Sequence, residues 1–107
     1  MKVITVKELF NLINSNADIQ LIDVREQDEH EAFNIGGKLI PLSTITQLID
    51  QIDREKTVIF YCKKGVRSHI AIQRLQQKYP FENLVNLIGG MDDWTKNFPY
   101  LRVVYLP

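Results

Sequence analysis

Two short apolar segments, separated by helical patterns, constrain the fold of this 107-residue chain more than any other feature. Ile19 to Val24 and Thr57 to Tyr61 are rich in strand-forming residues and bounded by polar ones, which is typical of buried strands. Thr5 and Glu8 have capping-box spacing and predict a helix start before the first strand. After the second strand, apolar residues recur at helical spacing from Arg67 to Lys78. This alternation predicts a three-layer α/β domain with a mainly parallel central sheet flanked by helices.

The remaining segments continue the alternation. In chain order the sequence predicts a short polar helix over Glu26 to Phe33, a helix over Ile45 to Ile52 capped by Ser43 or Thr44, a strand over Leu84 to Leu87, a last helical turn from Met91 to Trp94 and an apolar tail over Phe98 to Pro107. No repeat or linker interrupts this pattern. We therefore expect one domain over residues 1–107.

Composition argues against several classes of function. Thirteen basic and thirteen acidic residues balance, so the chain has no net charge to attract nucleic acid or an anionic membrane. One cysteine cannot form an internal disulfide, and the two histidines do not join it in a zinc-site spacing. No window approaches about 18 consecutive apolar residues, and the N-terminus lacks the apolar stretch of a signal peptide. We expect a cytoplasmic protein with no metal or other cofactor, and with neither nucleic acid nor a membrane as partner.

Cys62, the only cysteine, directly follows the second predicted strand and opens a short loop before the next helix. Ligands of parallel sheets bind at the carboxyl ends of the strands, which is where Cys62 falls. A helix N-terminus and nearby cations stabilise a thiolate, the nucleophilic form of cysteine. Three cations lie within five residues of Cys62, and the first-turn amides of the helix should point towards it. Cys62 is therefore the candidate catalytic residue, and the other interpretation is a buried cysteine that only fills space.

The loop after Cys62 has the composition of an anion-binding cradle. Its candidate substrate-binding residues are Lys63, Lys64, Gly65, Val66, Arg67 and Ser68. Gly65 lets the backbone turn its N–H groups inward. The cations would attract an anionic substrate, although each of them is also compatible with a solvated surface charge. Arg67 is the strongest candidate of the three because a guanidinium at the closing turn can bind an oxyanion bidentately.

Other polar and aromatic residues are assigned structural roles. Asp23 ends the first predicted strand, and we expect it to hydrogen-bond loop amides or Arg25 as structural support of the site. His30 and His69 lie within predicted helices, which favours surface or packing roles over a role as base. The aromatic residues expected in the core or in a pocket wall are Trp94, Phe98 and Tyr100.

Three blocks of the sequence together resemble the rhodanese-like domain family. They are Leu21 to Glu26 followed by Glu29, which looks like the family's Asp-Val-Arg-Glu segment; Val58 to Ser68, which looks like its active-site loop; and Gly89, Gly90 and Trp94, which are similar to its closing Gly-Gly and tryptophan. The resemblance covers nearly the whole chain and implies a rhodanese fold. It also implies sulfurtransferase activity in which Cys62 alternates between a thiolate and a persulfide.

One block departs from the family pattern. Where many members have Gly-His-Ile-Pro-Gly-Ala, this chain has Phe33 to Lys38 followed by Leu39, Ile40 and Pro41. The altered form resembles the rhodanese-like tails of adenylyltransferases in molybdopterin and thiamine biosynthesis, which would make the chain a sulfur-relay domain. The resemblance implies a small anionic donor such as thiosulfate, or a persulfide on a cysteine desulfurase. The implied acceptor is cyanide, a thiol or a sulfur-carrier protein.

Two other classes of function remain open. Tyrosine phosphatases and arsenate reductases also place a cysteine and an arginine around an anion-binding loop. Phosphatase loops have five residues between the two, whereas four separate Cys62 from Arg67. A phosphoryl group needs a wider cradle than one sulfane sulfur, so this count favours sulfur transfer. The second class is a non-catalytic interaction module, and the intact Cys62 loop argues against it.

Overall fold

Five short strands lie side by side in the computed structural model, which describes residues 1–99. In chain order they are β1 (Lys2–Ile4), β2 (Ile19–Asp23), β3 (Lys38–Leu39), β4 (Thr57–Tyr61) and β5 (Leu84–Leu87). All of them pair in parallel in the order β1-β5-β4-β2-β3, so the described part of the sheet is fully parallel. The predicted α/β class with a parallel central sheet is confirmed.

The described residues form four α-helices, which are α1 (Val6–Asn14), α2 (Gln27–Ala32), α3 (Val66–Lys78) and α4 (Gly90–Asn97). Helix α3 packs on one face of this sheet, and α1 and α4 pack on the other. The predicted capping box opens α1, since the Glu8 N–H donates to the Thr5 hydroxyl at 3.2 Å and the Thr5 N–H donates to the Glu8 carboxylate at 3.0 Å. Helix α3 begins one residue before its predicted start. None of the four is both long enough and apolar enough to cross a membrane.

Successive strand residues point to opposite faces of the sheet and build two hydrophobic clusters. Leu75 of α3 belongs to one cluster, while Leu9 of α1 and Trp94 of α4 belong to the other. Trp94 is fully buried, and its ring centroid lies 4.8 Å from that of Phe98. The core position is confirmed for Trp94, and Phe98 is partly buried against the same cluster, whereas Tyr100 and the rest of the predicted tail beyond residue 99 lie outside the described residues.

The predicted helix over Ile45 to Ile52 is wrong. Two short 3-10 turns, Leu42–Thr44 and Ile49–Gln51, take its place, and their closing hydrogen bonds span three residues at 3.3 and 3.1 Å. β-branched side chains lower helix propensity. Ile45 and Ile52 are both buried in the cluster beneath α3. Packing of these isoleucines therefore determines the backbone conformation of this segment more than its helical periodicity does.

The block that departs from the family pattern forms a turn against β4. The Asn34 side chain donates to the His30 carbonyl at 3.0 Å and accepts from the Gly36 N–H at 2.8 Å. A Cβ atom at Gly37 would lie 2.6 Å from Cε1 of Tyr61, so only glycine fits there without movement of the ring. The hydrogen bonds of Asn34 and the contact of Gly37 with Tyr61 therefore hold this turn in place. The turn leads into β3, which pairs with β2.

Candidate functional site

Cys62 directly follows β4, the central strand of the sheet, at its carboxyl end. Its side chain is only 1% exposed and belongs to the cluster beneath α3. The predicted position at the carboxyl edge of a parallel sheet is confirmed. Burial at this point leaves the sulfur accessible only to a small or protruding group.

The loop after Cys62 turns backbone N–H groups towards the sulfur. The Gly65 N–H donates to Sγ at 3.1 Å, and the Ser68 N–H donates to it at 3.4 Å. Gly65 has a φ of +96°, in the left-handed region that L side chains rarely adopt, and it immediately precedes α3. Because no side chain caps α3, its first-turn amides are available to Sγ. This arrangement favours a negative charge on the sulfur.

A buried amide on β5 holds the loop from behind. The Ser68 hydroxyl lies 3.3 Å from Sγ and donates to Oδ1 of Asn86 at 2.5 Å. Nδ2 of Asn86 in turn donates to the Gly65 carbonyl at 3.1 Å. Sequence reasoning missed Asn86. The available signal was a polar residue inside the apolar run of β5, since a buried amide requires hydrogen-bond partners.

The start of α4 binds the backbone of the same loop. The Met91 N–H donates to the Cys62 carbonyl at 2.9 Å, and the Asp92 N–H donates to the Lys63 carbonyl at 3.0 Å. This contact requires a close approach at Gly90, where an added Cβ would lie 2.4 Å from the Cys62 carbonyl oxygen. The Gly-Gly block recognised in the sequence therefore supports the loop after Cys62 directly.

The three cations of the loop have different partners. Lys63 pairs with Asp92 at 2.9 Å, and Arg67 forms a bidentate pair with Glu29 at 2.7 and 2.9 Å. The hydrogen bonds from Arg67 lower the pKa of Glu29 from 4.5 to about 2. Lys64 has no ion-pair partner among residues 1–99. Sequence reasoning did not foresee the Glu29 pairing, which depends on how α2 packs against the loop.

A cavity of about 170 Å³ opens beside the sulfur. It is lined by Cys62, Lys63, Lys64, Val66 and Arg67. The structure therefore brings these five predicted residues together, while Gly65 and Ser68 contact the sulfur through their backbone. Val66 is 64% exposed at the rim.

A second polar cluster lies at the end of the neighbouring strand β2. Asp23 accepts hydrogen bonds from the Arg25 guanidinium at 2.9 and 2.8 Å and from the Arg25 backbone N–H at 3.0 Å. Nδ1 of His30 lies 2.8 Å from the same carboxylate, whereas His69 is exposed on α3. The bonds predicted for Asp23 are present, and the histidines have the packing and surface positions expected of them. Within residues 1–99 no three acidic, histidine or cysteine side chains form a metal-binding group.

Comparisons with known proteins agree with this fold. The thiosulfate sulfurtransferase GlpE of Coxiella burnetii is 31% identical over 99 residues, covering 92% of this chain and 91% of that protein. The probable adenylyltransferase/sulfurtransferase MoeZ of Mycobacterium tuberculosis is 35% identical over 105 residues, covering 95% of this chain but only 26% of MoeZ. The chain thus spans about a quarter of MoeZ. The crystal structure of a rhodanese-like domain protein from Staphylococcus aureus has a TM-score of 0.80 at 33% identity, covering 88% of this chain and 91% of that one.

The family assignment depends on the match along the chain as well as on these relatives. The profile of the rhodanese-like domain matches residues 5–97, which include β2 to β5 and all four helices. The chain therefore belongs to the rhodanese-like domain family, and its relatives include sulfurtransferases.

Proposed function

We propose that this protein is a sulfurtransferase in which Cys62 accepts a sulfane sulfur and passes it on as a persulfide. One observation carries the proposal. The Cys62 sulfur lies beside a cavity and accepts hydrogen bonds from two backbone N–H groups at the start of α3. The similarity to the thiosulfate sulfurtransferase GlpE supports the same chemistry.

The first half-reaction loads the cysteine. The Cys62 thiolate attacks the outer sulfur of thiosulfate, so that a new S–S bond forms on Cys62. The S–S bond of thiosulfate breaks, and its electron pair leaves with sulfite. Three negative charges enter the step and three leave it, with one of them now on the outer persulfide sulfur. Backbone N–H groups already aimed at this point stabilise that charge without reorganisation.

The second half-reaction removes the sulfur from Cys62. A nucleophile such as cyanide attacks the outer persulfide sulfur, the S–S bond to Cys62 breaks, and the thiolate returns with that electron pair. Thiocyanate is the product, and no metal or redox cofactor is needed for the electron balance. We place this cycle in the cytoplasm, where reducing conditions keep a single thiol free.

The loop side chains are proposed to bind the donor. Lys64 is the cation best placed to attract it, because it is free of an ion pair within the described residues. Lys63 and Arg67 line the same cavity, but each already binds a carboxylate. Backbone N–H groups of the cradle from Lys63 to Ser68 should therefore matter more than most of its side chains. Asp23 and Arg25 support the site from the neighbouring strand through their buried ion pair.

A sulfur relay to a protein acceptor is a second form of the same proposal. The match to MoeZ, whose name joins adenylyltransferase and sulfurtransferase, favours it. In that case the donor is a persulfide or thiosulfate, and the acceptor is the end of a carrier protein. Only a slender, extended acceptor could reach a sulfur that is 1% exposed.

Intact-mass spectrometry after incubation with thiosulfate tests the proposal. We expect the wild-type protein to gain one sulfur and to lose it when cyanide is added, while Cys62→Ser gains none and keeps its fold by circular dichroism. Cleavage of an aryl phosphate without any gain of sulfur would favour the phosphatase class instead. Sulfur gained equally by Cys62→Ser would show that another group accepts it.

A further inference from the structure

A buried amide beside the catalytic loop has no role in the sulfur-transfer steps described above. Asn86 lies on β5, is 4% exposed, and is surrounded by the apolar residues of its own strand. Both ends of its side chain contact the loop, at Gly65 and at Ser68. A polar side chain with this burial requires that each end find a partner of the correct kind.

The orientation of the Asn86 amide follows from one acceptor. The Gly65 carbonyl oxygen can only accept a hydrogen bond, so the atom of Asn86 that lies 3.1 Å from it must be the donor, Nδ2. Oδ1 then faces Ser68. Since Oδ1 can only accept, the Ser68 hydroxyl must donate to it across 2.5 Å.

This orientation determines whether the proton or a lone pair of the Ser68 hydroxyl faces the Cys62 sulfur. The Ser68 hydroxyl has one proton, and Asn86 holds it on the side away from the sulfur. Oγ of Ser68 therefore presents a lone pair to Sγ at 3.3 Å and can accept the proton of the neutral thiol. The thiolate is held by the N–H groups of Gly65 and Ser68, at 3.1 and 3.4 Å, and not by the hydroxyl.

We propose that Asn86 is a positioning residue for the Cys62 nucleophile. Through Nδ2 it holds the Gly65 carbonyl, and so anchors the backbone between Cys62 and the first turn of α3 that also carries the two N–H groups bound to the sulfur. Through Oδ1 it keeps the Ser68 hydroxyl turned away from the thiolate. The proposal deepens the sulfurtransferase assignment and rests on it for its consequence in catalysis, but it predicts the reactivity of Cys62 towards any electrophile.

The rate at which iodoacetamide alkylates Cys62, followed by intact mass, tests the loop-positioning part. We expect Asn86→Ala to slow alkylation, and sulfur uptake from thiosulfate, by about tenfold, the size of one hydrogen bond to a charged group. The matched control is Asn83→Ala. Asn83 precedes β5, and its Nδ2 clamps another loop by donating to the Asp53 and Lys56 carbonyls at 2.8 and 2.7 Å. Asn83→Ala should lower the melting temperature about as much as Asn86→Ala does. It should leave the rates of alkylation and sulfur uptake near those of the wild type.

A double-mutant cycle tests the hydroxyl orientation, which a merely structural role for Asn86 would not affect. In the wild-type background, Ser68→Ala should change the alkylation rate by only about twofold, because the hydroxyl does not donate to the thiolate. In the Asn86→Ala background the freed hydroxyl can turn to the sulfur, so its removal should cost about fivefold or more. Equal costs in the two backgrounds, or a tenfold loss in Ser68→Ala alone, would overturn the proposal. The single Ser68→Ala result decides this even if Asn86→Ala fails to fold.

The two reagents separate this proposal from the proposed function. Alkylation measures Cys62 as a nucleophile, whatever its natural substrate, while sulfur uptake measures the transfer. Wild-type protein that is alkylated but never gains a sulfur would contradict the sulfurtransferase assignment and leave the role of Asn86 intact. Unchanged alkylation in a folded Asn86→Ala variant would contradict the role of Asn86 and leave the assignment intact.

Discussion

Helices α3 and α4 begin in the same way but use their first amides differently. Each follows an interior strand of the sheet, each is preceded by a glycine with positive φ, Gly65 at +96° and Gly89 at +78°, and neither has a side-chain cap. The amides of α3 face the Cys62 sulfur, whereas those of α4 bind the carbonyl oxygens of Cys62 and Lys63. One helix start therefore faces the sulfur, and the other holds the loop that follows it.

The start of α1 shows what both helices lack. There the Thr5 hydroxyl and the Glu8 carboxylate satisfy the free N–H groups through a capping box. A capped helix has fewer donors left for a ligand or a neighbouring loop. Glycine before α3 and α4 leaves these donors free and lets the backbone approach closely. The absence of a capping side chain thus leaves backbone N–H groups for the sulfur at α3 and for the loop after Cys62 at α4.

Gly90→Ala should have the largest effect, because it disturbs the contact between α4 and the loop after Cys62. The new Cβ would lie 2.4 Å from the Cys62 carbonyl oxygen, at a residue whose φ is +54°. Strain and overpacking together should destabilise the fold by about 3 kcal/mol and separate α4 from the loop. Urea unfolding measures this. Gly36→Ala, which also has a positive φ of +94° but lies in another turn, controls for backbone strain alone. Equal destabilisation by the two substitutions would show that close approach at α4 is unimportant.

Gly65→Ala should affect activity more than stability. Its Cβ would meet the Leu87 carbonyl at an ordinary 3.4 Å, so the cost is mainly the left-handed backbone at φ +96°, about 1 to 2 kcal/mol. Relief of that strain would turn the Gly65 N–H away from Sγ and lower the rate of sulfur uptake by about tenfold. Stopped reactions analysed by intact mass give this rate. A variant that loses stability but keeps the wild-type rate would contradict the assignment of the α3 amides to chemistry.

The sequence predicted the local features of this arrangement better than its long-range contacts. The Thr5 cap, the two central strands and the position of Cys62 follow from short patterns, so they could be read directly. Asn86 could not be connected to the loop, since 21 residues separate it from Gly65 and only the pairing of β5 with β4 joins them. Fold topology is needed for contacts of this kind.

Two further differences have the same origin. Strand β1, which was not predicted, is three residues long and exists through its pairing with β5. The Glu29 to Arg67 pair spans 38 residues, so the sequence could suggest a free arginine at the loop but not the carboxylate that binds it. Neither difference alters the position of Cys62, which local patterns determine.

Lys64→Glu should weaken the binding of thiosulfate at the rim of the site. Lys63 is bound to Asp92 of α4, whereas Lys64 is free of an ion pair in the described part of the chain. We expect Lys64→Glu to raise the KM for thiosulfate about fivefold and to change kcat little, because attraction of the donor is lost while the sulfur keeps its amides. Steady-state thiocyanate formation measures both constants. Lys7→Glu, the same charge change on α1, is the control, and an equal rise in its KM would show that only net charge matters.

Glu29→Gln should have the smallest effect, and it should depend on pH. Arg67 lowers the pKa of Glu29 from 4.5 to about 2, so the ionised carboxylate stabilises the folded state above about pH 4.5. That contribution is lost as the pH falls from about 4.5 towards 2. For a partly exposed pair it amounts to less than about 1 kcal/mol. Thermal melts should therefore separate wild type from Glu29→Gln at pH 6 and converge near pH 2, with Glu55→Gln as the exposed control. A constant difference at all pH values would contradict the pairing.

The central claim is that α3 binds the transferred sulfur through its backbone, and a crystal structure of thiosulfate-treated protein tests it most directly. The expected result is one additional sulfur on Sγ of Cys62, within hydrogen-bond distance of loop N–H groups, with the contacts of α4 to the Cys62 and Lys63 carbonyls unchanged. An unmodified Cys62, or an added sulfur that points away from these amides towards the lysine side chains, would contradict it.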